Sequence, residues 1–466
     1  MTVILGAGLL ALPSCSTKEV VAETRGTPGK YLADFDTSWD LVRDTHYDTE
    51  YNGVDWDAVR DELRPMAEQA GTLRESRQII NEMVGRLNQS HFGVIPEAVE
   101  EVSAVEESAS DTAGDMTSAP VEVGTGDGEG SAGIGADFRV VEGTAMVTSV
   151  RSGGPADMAG VRMGWIIEAI RDTEVASIVE RLQEAVGEES ALYAKQSIDS
   201  MIMGSAGTPV SITFLDGSNN ERTLDISREN DPGSMVKFGN LPPMSTNLEH
   251  RWLTSEETGD PSVRVGYIAF NIFMIPIAPQ FEAAMVEYQD ADGIIVDLRG
   301  NPGGIGAMAG ALGRFFVTET VNLGTMQMRG AKLEFNSEPI VVTRSGQRLS
   351  PFTGPVAMVL DGTSASTSEV WAGGMRAIGR IKTFGSRTAG MALPASMSKL
   401  PSGDVLLHAI ADYVNSDGTR LEGDGVLIDV EVPLKRDDLL DGVDAPLREA
   451  ARWIVGKTAA VVPTEN

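Results

Sequence analysis

Gly293-Ile294-Ile295-Val296-Asp297-Leu298 and Val356-Ala357-Met358-Val359-Leu360 are apolar runs of strand length, and each is cut off by a turn sequence. The first stops at Arg299-Gly300-Asn301-Pro302-Gly303-Gly304, the second at Asp361-Gly362 ahead of a helical stretch. Runs of this kind belong to strands buried inside a sheet. Val263 to Phe270 reads as another strand and Gln280 to Tyr288 as a helix. The alternation of strands and helices through residues 231–460 predicts an α/β layer built on a mainly parallel sheet.

A chain of 466 residues exceeds what one hydrophobic core organises, so further units are expected ahead of this layer. In residues 30–103 apolar positions recur at helical spacing, as in Trp39-Asp40-Leu41-Val42 and Trp56-Asp57-Ala58-Val59, with Asp55 suited to cap the second helix. A third helix, Arg74 to Leu87, ends at Asn88-Gln89-Ser90-His91-Phe92-Gly93. Residues 104–132 contain no aromatic side chain and are rich in Glu, Asp, Ser, Gly, Thr and Ala, the composition of a flexible acidic linker. Residues 133–230 mix strands (Ala145–Val150, Trp165–Ile170, Pro209–Phe214) with a helix-rich stretch from Ala176 to Met203.

The formal net charge is −31, from 37 basic and 68 acidic residues, and such a field repels nucleic acid and anionic membrane surfaces. Cys15 is the single cysteine, which excludes an intramolecular disulfide. It closes an apolar run from Val3 to Ser14 that is too short to span a bilayer. Leu12-Pro13-Ser14-Cys15 is similar to a bacterial lipobox, so residues 1–15 are expected to be a lipoprotein signal and Cys15 the lipidated residue. Ser16 after it favours the outer membrane, facing the periplasm.

Gly133-Ile134-Gly135-Ala136, followed by Gly154-Pro155-Ala156-Asp157-Met158-Ala159-Gly160-Val161, resembles PDZ domains. The resemblance implies that residues 133–136 are a loop for a peptide carboxylate. Three later segments are Asp297–Gly304, Ser364-Ala365-Ser366-Thr367-Ser368-Glu369 and Leu421-Glu422-Gly423-Asp424-Gly425-Val426. Together with the PDZ-like stretch, and in this order, they resemble the C-terminal processing peptidases and the tricorn-like serine peptidases. That resemblance implies a crotonase- or ClpP-like core, Ser366 as nucleophile, and the amides of Gly303 and Thr367 as an oxyanion hole. It also implies peptide or protein substrates in the cell envelope. The chemistry agrees: a serine at a helix start lies in positive dipole among amides able to hold an oxyanion. Ser366 with Glu369 also reads as a simple capping box, which would need no catalysis.

The general base departs from one branch. Processing peptidases use a lysine in Gly-x-x-Thr-x-Gly-Lys-Gly. The matching segment here is Gly385-Ser386-Arg387-Thr388-Ala389-Gly390-Met391-Ala392, and the thioether of Met391 accepts no proton. The tricorn-like branch has a Ser-His pair after the N-terminal helices and a Glu before a Gly-Val motif. Of the four histidines only His91, beside Ser90, fits that pattern, with Glu422 at the second place. The implied set is Ser366 attacking, His91 moving the proton, and Ser90 with Glu422 orienting the imidazole. An ordinary imidazole would place a rising activity limb near pH 6.5. No metal-ligand cluster or phosphate loop appears, and no cofactor is expected. An adaptor or self-association remains open. So does a second class of function, an inactive scaffold or apolar-ligand-binding protein on the same core, for which Met391 speaks.

Overall fold

The computed structural model describes residues 26–97, 132–187, 190–238, 241 and 243–461, together with the backbone of two short strands, Ile4–Gly6 and Val121–Gly124. Cys15 and most of the acidic stretch lie outside the described residues. Among the described residues no helix is long and apolar enough to cross a membrane.

Three helices open the chain, Leu32–Thr45, Trp56–Gln69 and Leu73–Gly85. They close on Phe35, Trp39, Trp56, Leu63, Ile80 and Met83. The capping residues follow the sequence logic. Asp55 accepts from the Ala58 amide at 3.0 Å, and Thr72 accepts from Glu75. The two buried indoles satisfy one another's backbone. Trp39 Nε1 donates to the Trp56 carbonyl at 3.0 Å and Trp56 Nε1 to the Trp39 carbonyl at 3.3 Å.

The middle module is an antiparallel sheet in the order Ala136–Val141, Thr144–Val150, Ile166–Ile170, Pro209–Leu215, Glu221–Ser227. The helix-rich stretch resolves into Val175–Val186 and Ser190–Ile202, which pack against each other. The second of them lies along the edge strand Ala136–Val141 and adds Ala194, Ile198 and Ile202 to the module's core. Val121–Gly124, inside the stretch expected to be linker, pairs antiparallel with Ser234–Phe238.

The core sheet runs Leu248–Trp252, Val265–Phe270, Gly293–Asp297, Val356–Leu360, Lys382–Gly385, Val430–Glu431, parallel from its second strand onward. Both faces are covered, which is why its central strands carry no alternation. On one face Ile295, Ala357, Val359 and Phe384 meet Leu447, Ala450, Ala451 and Ile454 of helix Ala445–Val461. Gly293 allows that approach, because a Cβ there would stand 2.3 Å from Ile454. On the other face lie helices Ile277–Glu287, Ala307–Gly313 and Thr367–Ala377. Trp371 sits at their centre, in ring contact with Phe270, Phe273, Phe281 and Phe316.

A second sheet orders Gly303–Ile305, Ile4–Gly6, Ala395–Lys399, Val405–Ala409 and Gly93–Ile95. It ties the helical region to the core. Arg77 grips Asp404 through two bonds of 2.7 and 2.8 Å, and Leu400 and Leu406 join the helices' own core. The middle module is joined to the core by Arg139, whose Nε donates to Asp361 at 2.6 Å in a buried setting.

Candidate active site

The loop from Asp361 to Ala365 lifts Ser366 off the end of a fully buried strand and sets it at the start of helix Thr367–Ala377. Thr363 turns back on Asp361, Ser364 Oγ donates to the Leu298 carbonyl at 2.8 Å, and the Ala365 amide donates to the Asn301 carbonyl at 3.1 Å. Ser366 has φ 58° and ψ −117°, a backbone conformation that a residue with a side chain adopts only when its surroundings impose it. His91 is held similarly, at φ 64°. Its turn is gripped from the first helix: Gln89 donates to the Tyr47 hydroxyl at 2.7 Å and is bonded to His46 at 2.9 Å.

These loops bring four side chains into one hydrogen-bonded line. Ser366 Oγ lies 3.3 Å from His91 Nε2, and His91 Nδ1 lies 2.7 Å from Ser90 Oγ. Ser90 Oγ donates to Glu422 Oε2 at 2.9 Å, while the Ser90 amide donates to Oε1 at 2.9 Å. The donor count fixes the protons. The carboxylate takes the Ser90 hydroxyl hydrogen, so Ser90 Oγ accepts from Nδ1–H, and Nε2 keeps its lone pair toward Ser366.

Three of the four are out of water, Ser366 0% exposed, His91 1% and Ser90 4%, while Glu422 is partly exposed. Burial pushes the His91 imidazole down to about 3 and, opposed by the Ser90 and Ala392 donors, pushes Glu422 up. The direction of this shift lies opposite to what a charged imidazole near pH 6.5 would need.

Gly303 lies against Ser366, and a Cβ on it would stand 2.7 Å from Ser366 Cβ and 2.8 Å from the Thr367 nitrogen. Its amide, however, donates to Asn301 Oδ1 at 2.9 Å. That side chain has to yield before the amide can meet an oxyanion. Asn301 escaped the sequence reading, although it sits in the Gly-Asn-Pro-Gly-Gly turn. It is fully buried, donates to the Phe270 carbonyl, and its own carbonyl accepts from Ser368 Oγ at 2.9 Å. Thr367 Oγ1 closes the same junction, donating to the Gly304 carbonyl at 3.0 Å.

The side chain of Met391 is buried with Ala365, Ala389 and Leu192, the last reaching in from helix Ser190–Ile202. That helix also occupies the flank of the Gly133–Ala136 loop, where Lys195 reaches Asp137 at 2.8 Å and covers the Phe138 ring at 4.6 Å. In the loop itself Gly133 exchanges amide–carbonyl bonds with Glu229, the Ile134 carbonyl accepts from Ala156, and the Gly135 carbonyl accepts from Arg151.

Residues 264–432 match the model of peptidase family S41, and residues 29–85 match that of the tricorn protease C1 domain. A probable CtpA-like serine protease of Staphylococcus aureus (strain COL) is 24% identical over 304 residues, 64% of this chain and 52% of that protein. The chain thus spans about half the length of the curated relatives it matches. The photosystem II D1 C-terminal processing protease superposes with a TM-score of 0.55 at 19% identity, covering 90% of this chain and 99% of that one. Mature CPAF gives 0.57 at 12% identity, covering 93% and 98%. The mixed α/β fold is that of these proteases. In sequence the chain resembles the S41 and tricorn-type serine peptidases, and the comparisons support a serine peptidase.

Only four histidines are present, so their ring signals are separable by NMR. Burial disfavours the charged imidazole, so His91 and His408, pushed down to about 3 and about 4, should stay neutral at pH 5, where exposed rings are charged. A His91 ring titrating near 6.5 would show the site open to water.

Proposed function

We propose that the chain is a serine endopeptidase with His91, not a lysine, as its base. The observation that supports this is the unbroken line from Ser366 through His91 and Ser90 to Glu422. Ser366 Oγ attacks the scissile carbonyl as its proton passes to Nε2. The imidazolium so formed is compensated through Ser90 by the Glu422 carboxylate. His91 then protonates the leaving amine, and water deacylates the serine by the same path. The backbone of Ile4–Gly6 runs antiparallel to Gly303–Ile305, the pairing an extended substrate would adopt beside Ser366. Met391 favours the competing reading, an inactive binding protein on the same core.

Fluorophosphonate labelling and peptide cleavage separate the two. Ser366→Ala and His91→Ala should each lose roughly four orders of magnitude in turnover, while Met391→Ala should keep measurable cleavage. An unlabelled wild-type serine under all conditions would favour the binding protein.

The reading extends to recognition of free C-terminal tails at Gly133–Ala136. Helix Ser190–Ile202 would have to move aside for such a tail, and the same movement would withdraw Leu192 from beside the nucleophile loop. A Cβ on Gly362 would stand 3.5 Å from Ala191 Cβ, within the reach of a disulfide, about 3.5–4.5 Å. In a Cys15→Ser background, the Ala191→Cys/Gly362→Cys pair should label slowly when oxidised and recover on reduction. Equal labelling in both states would mean that the helix does not gate the site.

Attachment to the cell envelope through Cys15, on the outer membrane, is part of the same proposal and rests on the Leu12–Cys15 pattern. Cys15→Ala should move the protein from the membrane to the soluble fraction, and an unchanged distribution would end the lipoprotein reading.

A further inference from the structure

Among the buried carboxylates outside the line of four, Glu369 is the one bonded to the Ser366 amide. Glu369 is fully buried one turn into the nucleophile helix. Its Oε2 accepts from the Ser366 amide at 3.0 Å and the Met391 amide at 2.9 Å; its Oε1 accepts from Thr388 Oγ1 at 2.6 Å and the Gly390 amide at 2.8 Å. An ordinary capping glutamate reaches back to a helix-start residue in extended conformation. Here the residue reached is left-handed, its amide is shared with the Met391 carbonyl at 2.9 Å, and the other donors belong to a separate loop.

That loop also serves the far end of the proton path. The Ala392 amide, next to Met391, donates to Glu422 Oε2 at 2.9 Å. Thr388 Oγ1 accepts from the Val426 amide at 2.7 Å, and the Gly390 carbonyl accepts from Gly423 at 2.8 Å. One run of backbone, 388–392, therefore binds Glu369 on one side and the Glu422 turn on the other.

We infer that Glu369 is a positioning residue, whose carboxylate holds Ser366 in its left-handed conformation and fixes the nucleophile relative to the 388–392 loop and hence to Glu422. This rests on the peptidase reading above. It also accounts for a methionine at 391, because the loop acts through its amides and not through that side chain. Burial pushes the Glu369 carboxyl up to about 7, and the four hydrogen-bond donors oppose that rise by stabilising the ionised form.

Glu369→Gln keeps the size but turns one acceptor into a donor facing donors. Well below its melting temperature the variant should show kcat and the fluorophosphonate labelling rate reduced about tenfold or more, with KM within about twofold. A purely structural role would lower the melting temperature and leave the folded protein labelling and turning over at wild-type rates, and that result overturns the inference. Should Glu369→Gln not fold, Thr388→Val removes a single donor. A smaller fall in kcat at constant KM supports the assignment, and an unchanged kcat overturns it. Undiminished cleavage by Ser366→Ala would instead sink the peptidase reading itself. Loss in Ser366→Ala with wild-type rates in Glu369→Gln would sink this inference alone.

Discussion

The site depends on how two carboxylates survive burial. An ionised carboxylate withdrawn from water costs several kcal/mol unless its lone pairs are met. Glu369 and Glu422 are met largely by amides and hydroxyls, and consecutive amides of one loop go to each of them. The loop cannot relax without stranding a charge, and the carboxylates cannot turn without stranding the loop. Ser366 is caught in the same bargain through its own amide. A strained serine backbone, with no glycine to ease it, persists because its alternatives are worse.

The sequence was legible where chemistry is local. The strands ending at Asp297 and Leu360 and the capping residue Asp55 are visible in short windows, and His91, Ser366 and Glu422 through their resemblance to family motifs. What it hid is pairwise and distant. Nothing around Leu192 says that its helix ends against Ala365 and Met391, far along the chain. Asn301 looked like part of a turn, yet its side chain takes the Gly303 amide and thereby changes what that amide can do in the resting state. Glu369 offered a capping pattern that is true as far as it goes, and only the fold supplies its other partners. Val121–Gly124 is short and flanked by polar residues, so its pairing with Ser234–Phe238 left no periodic signal. The burial that pushes the His91 imidazole down is likewise something no local window reports.

Water is excluded from the Ser366–His91–Ser90 part of the site, while Glu422 at its far end is partly exposed. A neutral imidazole is the form a base requires, but one pushed to about 3 accepts a proton reluctantly. The chain to Glu422 answers that reluctance by placing an anion where the positive charge will appear, so the driving force arises as the proton moves.

Ser366 and His91 come from regions separated by 275 positions and belong to units with different cores. His91 arrives only once the helical bundle has seated on the hairpin bearing Asp404 and Leu406. A copy whose bundle is unseated carries a complete serine loop and no proton acceptor beside it. The hydrogen-bonded line is therefore complete only in a molecule whose bundle is seated on the core.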